Sequence, residues 1–408
     1  GEYFCTTRVG IMAFVHYAVI KQKSLVASQN RCQVLSSSAL VSNTVVGRNR
    51  RAQRNLFKVV CSSELHARSD QRTGLALKEF LKRKRTLDVD RSGLDSVIDS
   101  IAEACRELSE LIAQAPLKDL LGLDSSGTFN ATGDSQKKLD VLANELVTSY
   151  LMKSQYVRVL ASEEEDEPIE IPTNISDDVT QYVVVFDPLD GSRNIDVSIP
   201  TGTIFGIYEY IPGESKLANA LQAGSKQVAA GYALYSSATQ LGISLRNQGT
   251  HIFTLNRSTQ QNEWLLSHHN LIIPARGQLY SLNDGRYFDW SDGLRKYIDT
   301  IRQGFGQSGK KYSARYVCSL VADFHRTLIQ GGWAGNPRNH LRLTYEANPL
   351  GFVVEEAGGR GSDGTDRLLD VIPTELHQRI PVFLGSSEDI HELEQYDVQQ
   401  KGSQKYAI

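Results

Sequence analysis

Residues 182–192 read Tyr182-Val183-Val184-Val185-Phe186-Asp187-Pro188-Leu189-Asp190-Gly191-Ser192. An apolar run of β-branched and aromatic side chains is a strand signal, and the strand is expected to end at Asp187. Pro188 fixes its own φ, so the chain turns there and Asp190 returns to the side of Asp187. Two carboxylates crowded against apolar walls repel each other and need a cation to stay ionised. Hard oxygen ligands beside a cleft describe a Mg²⁺ site with room for water and a substrate phosphate. Gly191 and Ser192 open the next segment with exposed backbone N–H groups suited to a phosphate oxygen.

Upstream, a second acidic motif, Ser162-Glu163-Glu164-Glu165-Asp166-Glu167, follows another apolar strand at 156–160. A charge run by itself reads as a solvated loop. Placed just past a strand end, it sits where a sheet presents side chains to a crevice. Further strands are expected at 202–210, 227–236, 240–245 and 251–255. Leu94, Val97, Ile98, Ile101, Cys105, Leu108 and Ile112 recur at three and four, as in an amphipathic helix. A second helix starts near Lys138, and others fall near 294–302, 319–330, 345–357 and 387–396. His325 lies mid-helix and is read as structural; His268 and His269 are read as loop residues. A helical start, a β-rich middle and a final third that alternates helix and strand imply a layered α/β architecture.

Composition narrows the function classes. The chain has 408 residues, 44 Lys+Arg and 47 Asp+Glu, a net charge of −3 that gives no argument for nucleic acid or an anionic membrane. No apolar run approaches the roughly 18 residues a membrane helix needs. Five scattered cysteines with no CxxC pair suggest neither a disulfide scaffold nor a zinc site. Between Tyr3 and Ser63 there are nine basic residues and no acid, together with a Ser run at 36–38. That is the composition of an organellar transit peptide, with Val60-Cys61 resembling a plastid processing site. Without residues 1–60 the remainder carries 35 basic against 46 acidic residues, an acidic protein. The expected organisation is a plastid transit peptide at 1–61, a disordered linker at 62–72, an N-terminal α+β domain at 73–270, a C-terminal α/β domain at 271–398 and a tail at 399–408.

DPLDGSRNID, followed by GTIFGIY and preceded by SEE and by GDSQKKLD, resembles the fructose-1,6-bisphosphatase family within the magnesium-dependent sugar phosphatases. ARYVCSLVADFHRTL and LRLTYEANPLGFVVEEAGG extend the resemblance, in the same order, over about 94–396. It implies a layered α-β-α-β-α sugar-phosphatase fold and hydrolysis of fructose 1,6-bisphosphate by metal-activated water. Two or three Mg²⁺ per subunit would be held by Glu163, Asp187, Asp190, Glu346 and the Leu189 carbonyl. Glu164 and Asp140 would activate the water, with Asp134 beside the more weakly held ion. Gly191, Ser192 and Arg193 would contact the reacting phosphate. Asn283, Tyr287, Arg315 and Tyr316 would hold the distal phosphate, Arg315 being contributed by a neighbouring subunit of a homotetramer or homodimer.

Departures from the family pattern bear on the substrate. Arg193 adds a cation to the phosphate loop, and Asn336 and His340 replace a tyrosine and a lysine near the sugar, where Arg338 offers compensation. A sedoheptulose-1,7-bisphosphatase and a catalytically silent homologue acting as an interaction protein are the alternatives; survival of every carboxylate argues against the second. The stretch 208–231 lacks the cysteine-bearing insertion of redox-regulated plastid members. The expected partners are a small sugar bisphosphate and further copies of the chain, with neither nucleic acid nor membrane, and the expected location is the plastid stroma.

Overall fold

The periodic apolar residues from Leu94 to Leu108 all fall on one buried face of a 21-residue helix. The computed structural model describes residues 74–85, 93–123, 137–176, 178–258 and 262–399. All lie in one unit that begins at Ser69. The expected transit peptide and linker, and Asp134, lie outside the described residues. The periodic helix is α2 (Leu94–Gln114), between α1 (Leu77–Arg85) and α3 (Lys138–Met152). Gly93 starts α2 with a left-handed φ of 87°, and a Cβ there would stand 2.2 Å from the Tyr156 ring, so only glycine fits.

An eight-stranded sheet follows, built from β1 (Val157–Ser162), β2 (Ile169–Glu170), β3 (Tyr182–Asp190), β4 (Thr201–Glu209), β5 (Ala229–Tyr235), β6 (Thr239–Leu245), β7 (Gly249–Asn256) and β8 (Glu263–Leu271). Its order is β2-β1-β3-β4-β5-β6-β7-β8, with β1 and β3 parallel and the other pairs antiparallel. A short helix, α4 (Lys216–Ala220), lies between β4 and β5. The smaller sheet runs β10 (Ser313–Ala314), β9 (Leu279–Ser281), β11 (Trp333–Arg342), β13 (Arg379–Gly385), β12 (Arg360–Ser362). Its helices are α5 (Asp292–Gln303), α6 (Leu320–Gln330), α7 (Asn348–Glu356) and α8 (Ser387–Leu393).

Three apolar clusters stack these layers. Leu81, Ile98, Leu139 and Val147 pack α1–α3 on Tyr182, Val184 and Phe186 of β3. Val321, Phe324, Leu350 and Val353 of α6 and α7 fill the space between Tyr232 of β5 and Val382 of β13. Leu294, Ile298, Ile390 and Leu393 of α5 and α8 cover Trp333 and Phe383 on the outer face of the small sheet. The architecture is therefore α-β-α-β-α, as expected. No described helix is long and apolar enough to cross a membrane.

Two local expectations are corrected, and one helix is added. His268 and His269 lie on β8, at the sheet edge, where partial exposure removes the apolar alternation that marks a strand. Helix α1 escapes notice because LKEFLKRKR is cationic, although Leu77, Phe80 and Leu81 are buried. Strand β3 does not end at Asp187. It continues through a bulge to Asp190, with Asp187 paired to Ile204 and Asp190 to Gly202. A bulge tolerates Pro188 because it leaves a ladder position unpaired.

Candidate active site

Alternation along β3 decides where its acids go. Tyr182, Val184 and Phe186 face the helices, so Val183, Val185 and Asp187 face the other side, against Tyr345. The bulge is pinned twice: Asp187 Oδ1 accepts the Leu189 N–H at 2.9 Å, and the Thr203 hydroxyl donates to the Pro188 carbonyl at 2.8 Å. Because β1 lies parallel to β3, the two strands end together, and the Glu163 N–H donates to the Phe186 carbonyl at 3.2 Å. Glu346 arrives from the small sheet on a π-helical turn, Leu343–Ala347, between β11 and α7. One carboxylate oxygen each from Glu163, Asp187 and Glu346 thus lie within 4.8 Å of one another. The Asp190 carboxylate is bonded to the first turn of α6, where the Val321 N–H donates to Oδ2 at 3.1 Å.

Burial dominates the electrostatics. It pushes Glu163, Asp190 and Glu346 up to about 7 and Asp187 well above the usual carboxylate range. Mutual repulsion adds to this, while Arg342 lowers all four. Arg342 Nη2 stands 2.7 Å from Glu163 Oε1, and its backbone N–H donates to Glu346 Oε2. Such a set of buried oxygens fits a hard divalent cation in donor type and in charge.

A second group adjoins the first. Asp140 occupies the first turn of α3 and accepts the Lys137 N–H at 2.8 Å. Burial, then the neighbouring Glu164 carboxylate, raises its pKa to about 7, and the Ser192 hydroxyl bonds to it. One turn further along α3, Asn144 receives the Ser162 hydroxyl at 2.7 Å and donates to Glu165 Oε1 at 2.8 Å. The Ser162 Oγ in turn accepts the Glu164 N–H at 3.2 Å. Asn144 therefore locks the helix carrying Asp140 to the loop carrying Glu163 and Glu164.

Gly191, at φ 75°, begins a 3₁₀ turn, Ser192–Val197, that leaves Arg193 exposed. Asn194 donates to the Cys318 carbonyl at 2.8 Å, so this turn packs against the segment carrying Tyr316. Tyr316 is 44% exposed, and Arg338 is near enough to act on its hydroxyl electrostatically. Arg338 and His340 fall between the paired residues Asn336 and Leu341, where β11 breaks register with β13. Arg315 is exposed and donates to the carbonyl of Ala314. Asn283 is exposed and precedes a 3₁₀ turn without capping it through its side chain, whereas the Tyr287 hydroxyl is committed to Asp299 at 2.6 Å. His325 is buried and shares a 2.7 Å hydrogen bond with the hydroxyl of Tyr232, a residue of the interlayer core.

Sequence reading missed Arg342 and Asn144. Both partners of each lie far along the chain or across a turn, where no local pattern announces them.

Family models described as "Fructose-1-6-bisphosphatase, N-terminal domain" and "Fructose-1-6-bisphosphatase, C-terminal domain" match residues 76–269 and 273–398. The chain is 39% identical over 399 residues to a chloroplastic fructose-1,6-bisphosphatase of Brassica napus, covering 91% of this chain and 95% of that protein. It is 41% identical over 329 residues to a class 1 fructose-1,6-bisphosphatase of Chlorobium chlorochromatii, covering 78% and 96%. The crystal structure of Leishmania major fructose-1,6-bisphosphatase in holo form superposes with a TM-score of 0.71 at 34% identity, over 79% of this chain and 98% of that one. Likeness at this level, sustained through both sheets and their helices, makes the chain a member of the fructose-1,6-bisphosphatase family of hydrolases.

Proposed function

We propose that the protein is a plastid stromal, Mg²⁺-dependent enzyme that hydrolyses fructose 1,6-bisphosphate to fructose 6-phosphate and phosphate. The observation that carries the reading is the convergence of Glu163, Asp187 and Glu346 within 4.8 Å. With Asp190, the Leu189 carbonyl and Asp134 they would hold two or three Mg²⁺. Bound Mg²⁺ supplies charge neutralisation for the phosphate oxygens and a lowered pKa for the attacking water.

The chain's own groups do the rest. Glu164 and Asp140, the latter with its pKa raised by burial and by the Glu164 carboxylate, take the proton of the water that attacks the 1-phosphate. Gly191 and Ser192 present the start of their turn to the phosphate oxygens, with Arg193 beside them. Asn283, Arg315 and Tyr316 hold the distal phosphate, Tyr287 joining them only on release of its hydroxyl from Asp299, and the exposed Arg315 serves a neighbouring subunit of a homodimer or homotetramer. Arg338 and His340 meet the sugar. Residues 1–61 act as the transit peptide, 62–72 as a linker, and the catalytic body divides at 270–271. The chloroplastic names of several relatives support the location.

Asn336 and His340, which depart from the family pattern and bound or lie within the register break of β11, motivate one second reading, a sedoheptulose-1,7-bisphosphatase. Phosphate release from each bisphosphate in Mg²⁺ tests both. Turnover of fructose 1,6-bisphosphate at least tenfold above the seven-carbon substrate supports the first reading, the reverse supports the second, and no release from either removes both.

A further inference from the structure

His377 lies outside the carboxylate cluster, in the segment before β13, yet its ring joins two of the cluster's supports. Nε2 is 3.1 Å from the main-chain carbonyl of Glu165, and Nδ1 is 2.7 Å from the hydroxyl of Tyr345. A carbonyl only accepts, so Nε2 carries the proton and donates. Nδ1 then accepts the Tyr345 O–H. The tyrosine ring stands edge-on at a centroid distance of 5.8 Å. Leu376, buried in the same apolar cluster as Tyr345, anchors the histidine's own segment, and the Leu343 N–H donates to the Gln378 carbonyl at 2.8 Å.

Glu165 follows Glu164 in the chain, and Tyr345 precedes Glu346. One neutral ring therefore ties the loop after β1 to the π-helical turn after β11. We propose that His377 is a positioning residue that fixes the separation between the loop bearing Glu163 and Glu164 and the turn bearing Glu346. The Arg342–Glu163 ion pair spans the same two segments, but it uses a carboxylate that a cation would claim. The His377 link uses a main-chain carbonyl and a phenol, so it holds without competing for the cation. The inference rests on the metal-site reading of the proposed function. Groups supporting metal ligands from behind are worth about 10- to 100-fold in affinity when directly bonded. One residue further removed, roughly a 5- to 10-fold effect is expected.

The test is Mn²⁺ binding to the substrate-free full-length protein by calorimetry, alongside steady-state kinetics. His377→Ala should raise the Mn²⁺ dissociation constant about 5- to 10-fold and lower kcat by a similar factor, with KM for the bisphosphate unchanged. His377→Gln keeps a donor near the Nε2 position and should recover most of the Mn²⁺ affinity. Tyr345→Phe removes only the hydroxyl and should weaken Mn²⁺ binding in the same direction; it serves as the deciding variant if His377→Ala does not fold. Mn²⁺ affinity within twofold of wild type in the folded variants overturns the inference, leaving His377 a packing residue. Wild-type protein that binds no Mn²⁺ overturns the metal reading itself, and the inference with it.

Discussion

The Arg342 guanidinium lies 2.7 Å from Glu163 Oε1, with only 8% and 11% of the two side chains exposed. It is a built-in counter-ion for a set of carboxylates that repel one another. Removing one partner of a buried pair costs about 3–5 kcal/mol when the other is left charged. Arg342→Met should therefore lower the thermal midpoint of the protein in EDTA, and saturating Mg²⁺ should restore more of the loss than it adds to wild type. Equal losses in EDTA and Mg²⁺, read from paired melts, would mean that Arg342 acts by packing alone.

The carboxylates set a pH dependence of the opposite sign to that of an ordinary salt bridge. Glu163 and Glu346 are pushed from 4.5 up to about 7, so the folded, metal-free protein binds protons there that the unfolded chain has already released. Their contribution to stability is fully present below about pH 4.5 and is lost as pH rises through about 7. A cation reverses this by favouring the ionised forms. The gain in thermal midpoint on adding Mg²⁺ should thus be small at pH 5.5 and grow steadily to pH 8. A gain that is flat across that range would place the bound cation elsewhere.

Asp187→Asn separates stability from activity. It removes one of three like charges at the cost of one ligand oxygen. Metal-free protein at pH 8 should melt higher than wild type, while turnover in Mg²⁺ falls on the order of 10³-fold or more. Retention of more than a tenth of the activity would take Asp187 out of the metal site.

The parts legible in the sequence share one property: their signal is contiguous. The Val and Phe run of β3, the acidic motif after it and the three-and-four spacing of α2 each lie within one short window. Arg342 and His377 could not be read this way. Arg342 meets Glu163 from the far end of β11, and His377 reaches Glu165 across 212 positions. The bulge at Pro188 reads in the sequence as a strand end because a proline cannot donate to a ladder. The partner that makes it tolerable, the Thr203 hydroxyl, comes from the next strand.

Asn144 offers a test of the water-activating role proposed for Glu164 and Asp140. It bonds both Ser162 and Glu165, one helical turn from Asp140. Asn144→Ala should loosen Glu164 from Asp140 and lower kcat about 10-fold, while Asp140→Asn, which removes a proton acceptor outright, should cost about 10²- to 10⁴-fold. Asn144→Asp should fare worse than Asn144→Ala, because a carboxylate there faces Glu165 and cannot donate to it. Equal kcat in the alanine and wild-type enzymes would show that the loop holds its shape unaided.

Reductive activation requires two thiols able to meet. Among the described residues the free cysteines are Cys105 and Cys318. Cys105 is wholly enclosed within the helix-covered core of the large sheet, and burial pushes its thiol up to about 12, so it supplies almost no thiolate for exchange. Cys318 is exposed beside Tyr316, but its possible partner is sealed away. The connection from β4 to β5, where a cysteine-bearing insertion would act, holds the short α4, a 3₁₀ turn at Gly224–Lys226 and no cysteine. Cys5, Cys32 and Cys61 all belong to the expected transit peptide. Protein lacking residues 1–70 should therefore show less than a twofold change in kcat between dithiothreitol and an oxidised thioredoxin couple. Activation by several-fold on reduction would require Cys105 to reach solvent, and labelling of Cys105 by an alkylating reagent under the same conditions would reveal it.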